Sequence, residues 1–126
     1  MSLDALQIER RIAIARQPRA IGEGVVSARR RGAVSAIGAL RQSGSAKILF
    51  PHRSRETLEA VLLNTAGGVT GGDRFAWRAT AEAGAALALS TQAAERAYRA
   101  QPGERAEVST TLTVEAGATL LWAPQE

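Results

Sequence analysis

Ala79-Thr80-Ala81-Glu82-Ala83-Gly84-Ala85 and Leu112-Thr113-Val114-Glu115-Ala116-Gly117-Ala118 follow one pattern, and Leu87 and Leu120 extend the match beyond each copy. Each copy reads as a strand, a Glu-Ala-Gly turn and a second strand. The alternation is cleanest upstream of the second copy. Val108, Thr110, Leu112 and Val114 fall on one face there, with Ser109, Thr111 and Thr113 on the other. The pattern predicts two similar hairpins stacked in one sheet, with their leucines buried in register. Two copies are too few for a solenoid.

Working outward, the chain from Gly24 onward keeps this β character. Short strands are expected at Val25–Arg29, Ala33–Leu40, Lys47–Phe50, Leu58–Asn64, Phe75–Ala81, Ala86–Thr91, Val108–Val114 and Thr119–Trp122. Turn formers separate them: Arg31-Gly32, Ser43-Gly44-Ser45, Pro51 to Ser54, Ala83-Gly84, Gln101-Pro102-Gly103 and Ala116-Gly117. The expected fold class is all-β, two stacked sheets of short antiparallel strands with minor helical content. Helix is expected only near the start, where Asp4 suits an N-cap and Pro18 limits the far end. Residues 1–21 therefore read as an N-terminal arm or short helix, and residues 22–126 as the β-rich part.

Composition narrows the function classes. The aromatic share is 4%, so the core is built from small residues. The net charge of +4 comes almost wholly from scattered arginines, Lys47 being the single lysine. Arg29-Arg30-Arg31 is the one dense cluster, and an RNA-binding module is the alternative reading that it supports. There is no cysteine, which removes disulfides and thiolate metal sites. No apolar stretch approaches the ~20 residues that span a bilayer, and the first residues lack the apolar core of a leader peptide. A cytoplasmic protein with no membrane partner is expected.

Residues Leu62 to Phe75 read LLNTAGGVTGGDRF, in which Gly67-Gly68 and Gly71-Gly72 bracket Val69-Thr70 and lead into Asp73. Glycine reaches φ > 0 without steric cost and lets another backbone approach closely. A phosphate-binding loop needs Lys and Ser/Thr after its last glycine, where this chain has Asp73 and Arg74. The dinucleotide fingerprint fails as well, because the glycines fall in adjacent pairs and a strand pattern follows. Asp73 either accepts backbone N–H groups within the turn, which the reading favours, or presents a polar group to a partner.

Catalytic constellations are lacking. His52 is the only histidine and follows Pro51 in a loop, so it reads as surface structure. Glu82 and Glu115 have the residue type of a general acid/base pair, but their place beside turns favours solvated carboxylates. Glu95 and Arg99 have the spacing of an ion pair on a helical turn. Alternatively, Arg96, Tyr98 and Arg99 form an arginine-rich patch of interface composition.

The glycine loop resembles the Pro/Ala-Gly-Gly-x-x-Gly-Gly-Asp signature of the urease accessory protein D family, UreD, also called UreH. Two later stretches fit the same family in order. Ser90-Thr91-Gln92-Ala93-Ala94-Glu95-Arg96-Ala97-Tyr98-Arg99 is similar to its Thr-x-x-Ala-x-Lys-Tyr-Arg segment, and Leu120-Leu121-Trp122-Ala123-Pro124-Gln125-Glu126 to its Trp-x-Pro-Gln-Glu segment. Ala93, Arg96 and Ala97 depart from the usual Gly, Lys and large apolar residue. Family members are longer, so the resemblance implies the N-terminal part of a larger β-rich fold, truncated at its C-terminus. It also implies a non-enzymatic role in loading nickel into apo-urease, in a complex with UreF and UreG. The resemblance further implies that no cofactor is bound in its own right and that nickel is handled transiently by the complex, and no nucleic-acid partner is expected. The site residues implied are Gly67, Gly68, Gly71, Gly72 and Asp73 in the loop, with Glu95, Arg96, Tyr98, Arg99, Trp122, Gln125 and Glu126 for partner binding. Residues 1–126 alone are expected to fold poorly, with apolar surface left open around Leu120, Leu121 and Trp122.

Overall fold

The computed structural model describes residues 21–53, 55–65, 68–69, 74–91, 96–97 and 107–124. These form β1 (Ile21–Arg31), β2 (Val34–Gly44), β3 (Ala46–Leu49), β4 (Leu58–Asn64), β5 (Gly68–Val69), β6 (Arg74–Ala81), β7 (Ala86–Thr91), β8 (Arg96–Ala97), β9 (Glu107–Val114) and β10 (Thr119–Ala123). The eight expected strands are all present, Leu58–Asn64 and Ala86–Thr91 with the expected ends and the others with ends moved by a few residues. The four-stranded first sheet has the order β2-β1-β6-β9, and the four-stranded second sheet has the order β10-β7-β4-β3. A small third sheet pairs β5 with β8. The all-β architecture of two stacked sheets is therefore as expected. No helix occurs among the described residues, and the helical expectation for the N-terminal arm lies outside them.

Strand direction differs from expectation. Among the described strand pairs, only β1–β2 and β3–β4 are antiparallel. The pairs β1–β6, β6–β9, β4–β7, β7–β10 and β5–β8 are all parallel. The Glu-Ala-Gly turns are the reason. Each links a strand of the first sheet to a strand of the second, as an arch, instead of closing a hairpin within one sheet. The chain leaves β4, crosses through β5 to β6, arches to β7 beside β4, and repeats the circuit through β8, β9 and β10. The two copies of the pattern are thus successive turns of a coil. Leu87 and Leu120 do stand in register, as do Ala79 and Leu112. Alternation reports which face of a strand is buried, but not the direction of its neighbour.

The arches stack through their polar backbone. Gly84 and Gly117 take φ of 74° and 69°, a region that a side chain disfavours. Ala85 N–H donates to Glu82 O and Ala118 N–H to Glu115 O within each arch, at 2.9 and 3.0 Å. Between arches, Gly84 N–H donates to Ala116 O at 3.1 Å and Ala83 N–H to Glu115 Oε1 at 3.0 Å. Successive turns are also joined by Glu115 N–H to Ala81 O and Thr119 N–H to Ala85 O, each 2.9 Å.

Between the sheets lies a core rich in alanine and leucine. Val26 and Ala28 of β1, and Phe75, Trp77, Ala79 and Ala81 of β6, face Ile48, Leu58, Ala60, Leu62, Leu87 and Leu89 of the second sheet. Buried polar groups find partners. Ser35, fully buried, donates to Glu56 O at 2.8 Å and accepts from Ala86 N–H at 2.9 Å. Val108, Leu112 and Val114 continue the inward row of Phe75, Ala79 and Ala81, yet they are 55%, 36% and 52% exposed. β9 is the outer strand of its sheet, so this row is covered from one side only.

Two glycines of β1 are steric requirements of this core. Gly24 stands in register with Trp77, and a Cβ there would lie 2.5 Å from the indole ring. Because the indole is a rigid ring held between two sheets, Gly24→Ala is expected to destabilise the protein by about 1–3 kcal/mol. The midpoint of urea denaturation measures it.

Candidate functional site

Parallel pairing gives the coil two unlike sides. On one side sit the short arches, Glu82 to Ala85 and Glu115 to Ala118. On the other, chain passes from the ends of second-sheet strands to the starts of first-sheet strands. β4, β7 and β10 run parallel and side by side, so their C-terminal ends share one edge. The three signature stretches continue from these ends: the glycine loop follows Asn64 of β4, the second stretch begins at Ser90 of β7, and the third, from Leu120, runs along β10 to its end at Ala123. Strand ends that lead into motifs far apart in the chain are brought to one edge because the strands stack in register.

The first two stretches also meet directly. Gly68 pairs with Arg96 and Val69 with Ala97, in parallel, as β5 and β8. Arg96 and Ala97 are therefore extended, and the alternative of a helical turn does not hold for them. Gly67, Gly71, Gly72, Asp73, Glu95, Tyr98, Arg99, Gln125 and Glu126 lie outside the described residues. Trp122 stands in register with Leu89 and packs partly buried against the core. Ala123 is in register with Ser90, which in turn pairs with Val61.

The starts of β1, β6 and β9 line a depression of about 580 Å³ on the same loop side. Ile21, Glu23, Arg74, Phe75, Glu107 and Val108 contribute to it. Arg74 stands in register with Glu107, so opposite charges lie side by side on neighbouring strands. The lining thus mixes one guanidinium with two carboxylates and an apolar floor, a composition suited to a protein surface.

The other chemical candidates have structural partners. His52 Nε2 lies 3.3 Å from Glu59 Oε2, both about half exposed. Glu82 Oε2 accepts from the Ser27 hydroxyl at 2.6 Å, and that hydroxyl accepts from Ala39 N–H at 2.7 Å. Glu115 caps Ala83, as described above, so the two glutamates fasten arches and do not face each other as an acid/base pair. Arg29, Arg30 and Arg31 are exposed at the end of β1, and Arg30 bonds to Gly32 O and, at 3.3 Å, to Gly84 O. No cluster of three or more metal-ligating side chains occurs among the described residues. Nor is any helix among them long and apolar enough to cross a membrane.

Sequence reading missed β5 and β8, because two residues carry no periodicity. A signal was nevertheless available. If the arches at Glu82 and Glu115 are equivalent turns of a coil, then the segments entering β6 and β9 occupy equivalent places, and the glycine loop must lie beside the Arg96 segment.

Comparison with known proteins agrees with the motifs. The family model described as UreD urease accessory protein matches residues 20–126. The urease accessory protein UreD of Roseobacter denitrificans is 56% identical over 110 residues, covering 87% of this chain and 40% of that protein. That of Ruegeria pomeroyi is 61% identical over 95 residues, covering 75% of this chain and 37% of that protein. The Brucella suis protein is 44% identical over 105 residues, with 83% and 37% covered. The chain thus spans about two-fifths of the length of these curated relatives.

The fastening role of the glutamates has a measurable consequence. Glu82→Ala strips the part-buried Ser27 hydroxyl of its acceptor and is expected to cost about 1–3 kcal/mol. Glu115→Ala frees an exposed N–H that water can satisfy, and should cost less than about 1 kcal/mol. Chemical denaturation of the two variants ranks them.

Proposed function

The chain belongs to the UreD family of urease accessory proteins, and on that premise we propose that it acts as a non-catalytic scaffold in the maturation of apo-urease. In this reading it works in the cytoplasm, joined to UreF and UreG, and helps deliver nickel to the apo-enzyme. Nickel is cargo here. The chain has no cysteine and one histidine, and that histidine stands beside Glu59. A site without thiolate or clustered imidazole holds a late first-row metal loosely, which suits passage better than storage.

The observation that carries the proposal is that β4, β7 and β10, from which the three signature stretches continue, lie parallel and end at one edge of the second sheet. A catalyst needs a nucleophile, base or metal held at fixed distances. A scaffold needs a contiguous surface of loops held by a rigid frame, and the stacked strands supply that frame. Glu95, Arg96, Tyr98, Arg99, Trp122, Gln125 and Glu126 are the residues proposed for partner contact, with Gly67, Gly68, Gly71, Gly72 and Asp73 as the accompanying glycine motif. The RNA-binding alternative has less to recommend it, since Arg30 is engaged by the turn at Gly32 and the arch at Gly84.

Deletion of the gene in its host tests the proposal. Urease subunits should accumulate normally while urease activity is lost, and re-expression of the gene should restore it. Wild-type activity in the deletion strain would contradict the proposal. Affinity capture from the same host should recover urease subunits at moderate salt, and recovery of nucleic acid with a steep salt dependence would favour the alternative instead.

A further inference from the structure

β2 and β3 are the outer strands of the two sheets at one end of the coil, and β9 and β10 are the outer strands at the other. An outer strand offers a row of unpaired N–H and C=O groups to any further strand. β2 is long enough to act as such a template, with 11 residues, and its Ile37 and Leu40 are 40% and 45% exposed. Its ladder is nevertheless broken in the middle. Val26 pairs with Leu40 and Ala28 with Ile37, so Ser27 alone stands against both Gly38 and Ala39. The extra residue makes a β-bulge, which bends the strand and interrupts its free edge.

Side chains hold the bulge in place. Ala39 N–H donates to Ser27 Oγ at 2.7 Å, and that buried hydroxyl donates to Glu82 Oε2 at 2.6 Å. A Cβ at position 38 would collide with both the hydroxyl and the carboxylate, so glycine there belongs to the clasp. The rest of this end is closed by other means. Ser35 N–H donates to Arg55 O at 2.6 Å, in an antiparallel bridge that covers the start of β2. Gln42 Oε1 accepts from Ile48 N–H at 2.8 Å, so a side chain of one outer strand occupies a donor of the other. β3 itself has only 4 residues, and short, bulged or covered edges resist further pairing. At the opposite end, β9 pairs with β6 from Glu107 to Val114 with no shift of register.

We propose that Ser27, Gly38, Glu82 and Gln42 form a built-in guard that closes the β2–β3 end of the coil to strand addition by a second copy of the chain. Ser27, Gly38 and Glu82 fix the bulge, and Gln42 caps the neighbouring edge. The guard holds whatever the partner in urease maturation, because it concerns pairing of the chain with itself.

Because the chain has no cysteine, a single introduced thiol reports where two copies touch. Arg41 is exposed on β2, in register with Val25, and Arg41→Cys places the thiol there. Deletion of Gly38 sets Ala39 against Ser27 and leaves Ile37 and Leu40 with their present partners, which gives an unbroken edge. The whole chain is used, and hydrogen exchange on β4, β6 and β7 checks that the fold is kept. Under mild oxidation, Arg41→Cys in the otherwise unchanged chain should give little covalent dimer. Adding the Gly38 deletion should raise the dimer yield about tenfold. A thiol on β9, Thr111→Cys, should give the same yield with and without the deletion. The double variant Ser27→Ala/Gln42→Ala removes the clasp and the cap at unchanged chain length. It should raise dimer at position 41 as well, and its result decides the matter where the deletion variant does not fold. Equal yields at position 41 with and without these changes would overturn the guard, as would a rise of the same size at position 111.

Discussion

Each Glu-Ala-Gly arch satisfies its polar backbone through the arch stacked on it, and most of the structure follows from that contact. Gly84 N–H reaches the Ala116 carbonyl, and Ala83 N–H reaches the Glu115 carboxylate. With Glu115 N–H to Ala81 O and Thr119 N–H to Ala85 O they form a set, so one arch cannot slide against the other without breaking several bonds at once. Once the arches are aligned, β6 must lie on β9 and β7 on β10, in parallel and in register. Parallel strands share their ends. The ends of β4, β7 and β10 therefore share one edge, from which the signature stretches continue.

The core is adapted to this winding. Its largest fully buried side chains are Leu58, Leu87, Leu89 and Val26, and much of the remainder is alanine. Small residues let the sheets come together at the arches, where Ala79, Ala81 and Ala85 are almost wholly buried. Room for the two large rings of β6 is made in β1 instead, opposite Phe75 and Trp77, where Gly22 and Gly24 stand in register with them. Burial falls from β6 to β9 along the same inward row. Stability accordingly rests on the first circuit of the coil, with the second held to it mainly by backbone pairing and by the arches.

Much of this was legible in the sequence. Leu58–Asn64 and Ala86–Thr91 were readable to the residue, because their apolar runs stop at polar or turn-forming neighbours. Gly32, Gly44, Gly84 and Gly117, each assigned to a turn, all adopt positive φ. Strand direction was not readable. Residues such as Leu112 and Val114 alternate in the same way whether the neighbouring strand runs with them or against them, and a Glu-Ala-Gly turn serves a hairpin or an arch equally. Alternation places Val108 on one face of its strand but does not say what covers that face, and Val108 is largely exposed. The motif residues carried the family without carrying their geometry. Gly68 and Arg96 are neighbours only because of winding that neither stretch encodes alone.

A chain without cysteine allows a direct measurement of that winding. Thr80 and Thr113 stand in register on the outward faces of β6 and β9, where neighbouring strands lie about 4.8 Å apart, within the Cα range that a disulfide bridges. In the double variant Thr80→Cys/Thr113→Cys, mild oxidation should form one intramolecular disulfide rapidly and nearly completely, seen as a mass loss of two hydrogens and as a cross-linked peptide pair. A control pair displaced by one residue, Thr80→Cys/Leu112→Cys, should remain reduced, because its thiols lie on opposite faces of the sheet. Failure of the first pair to close, or equal closure of the control, would contradict the in-register parallel coil and with it the shared edge from which the signature stretches continue.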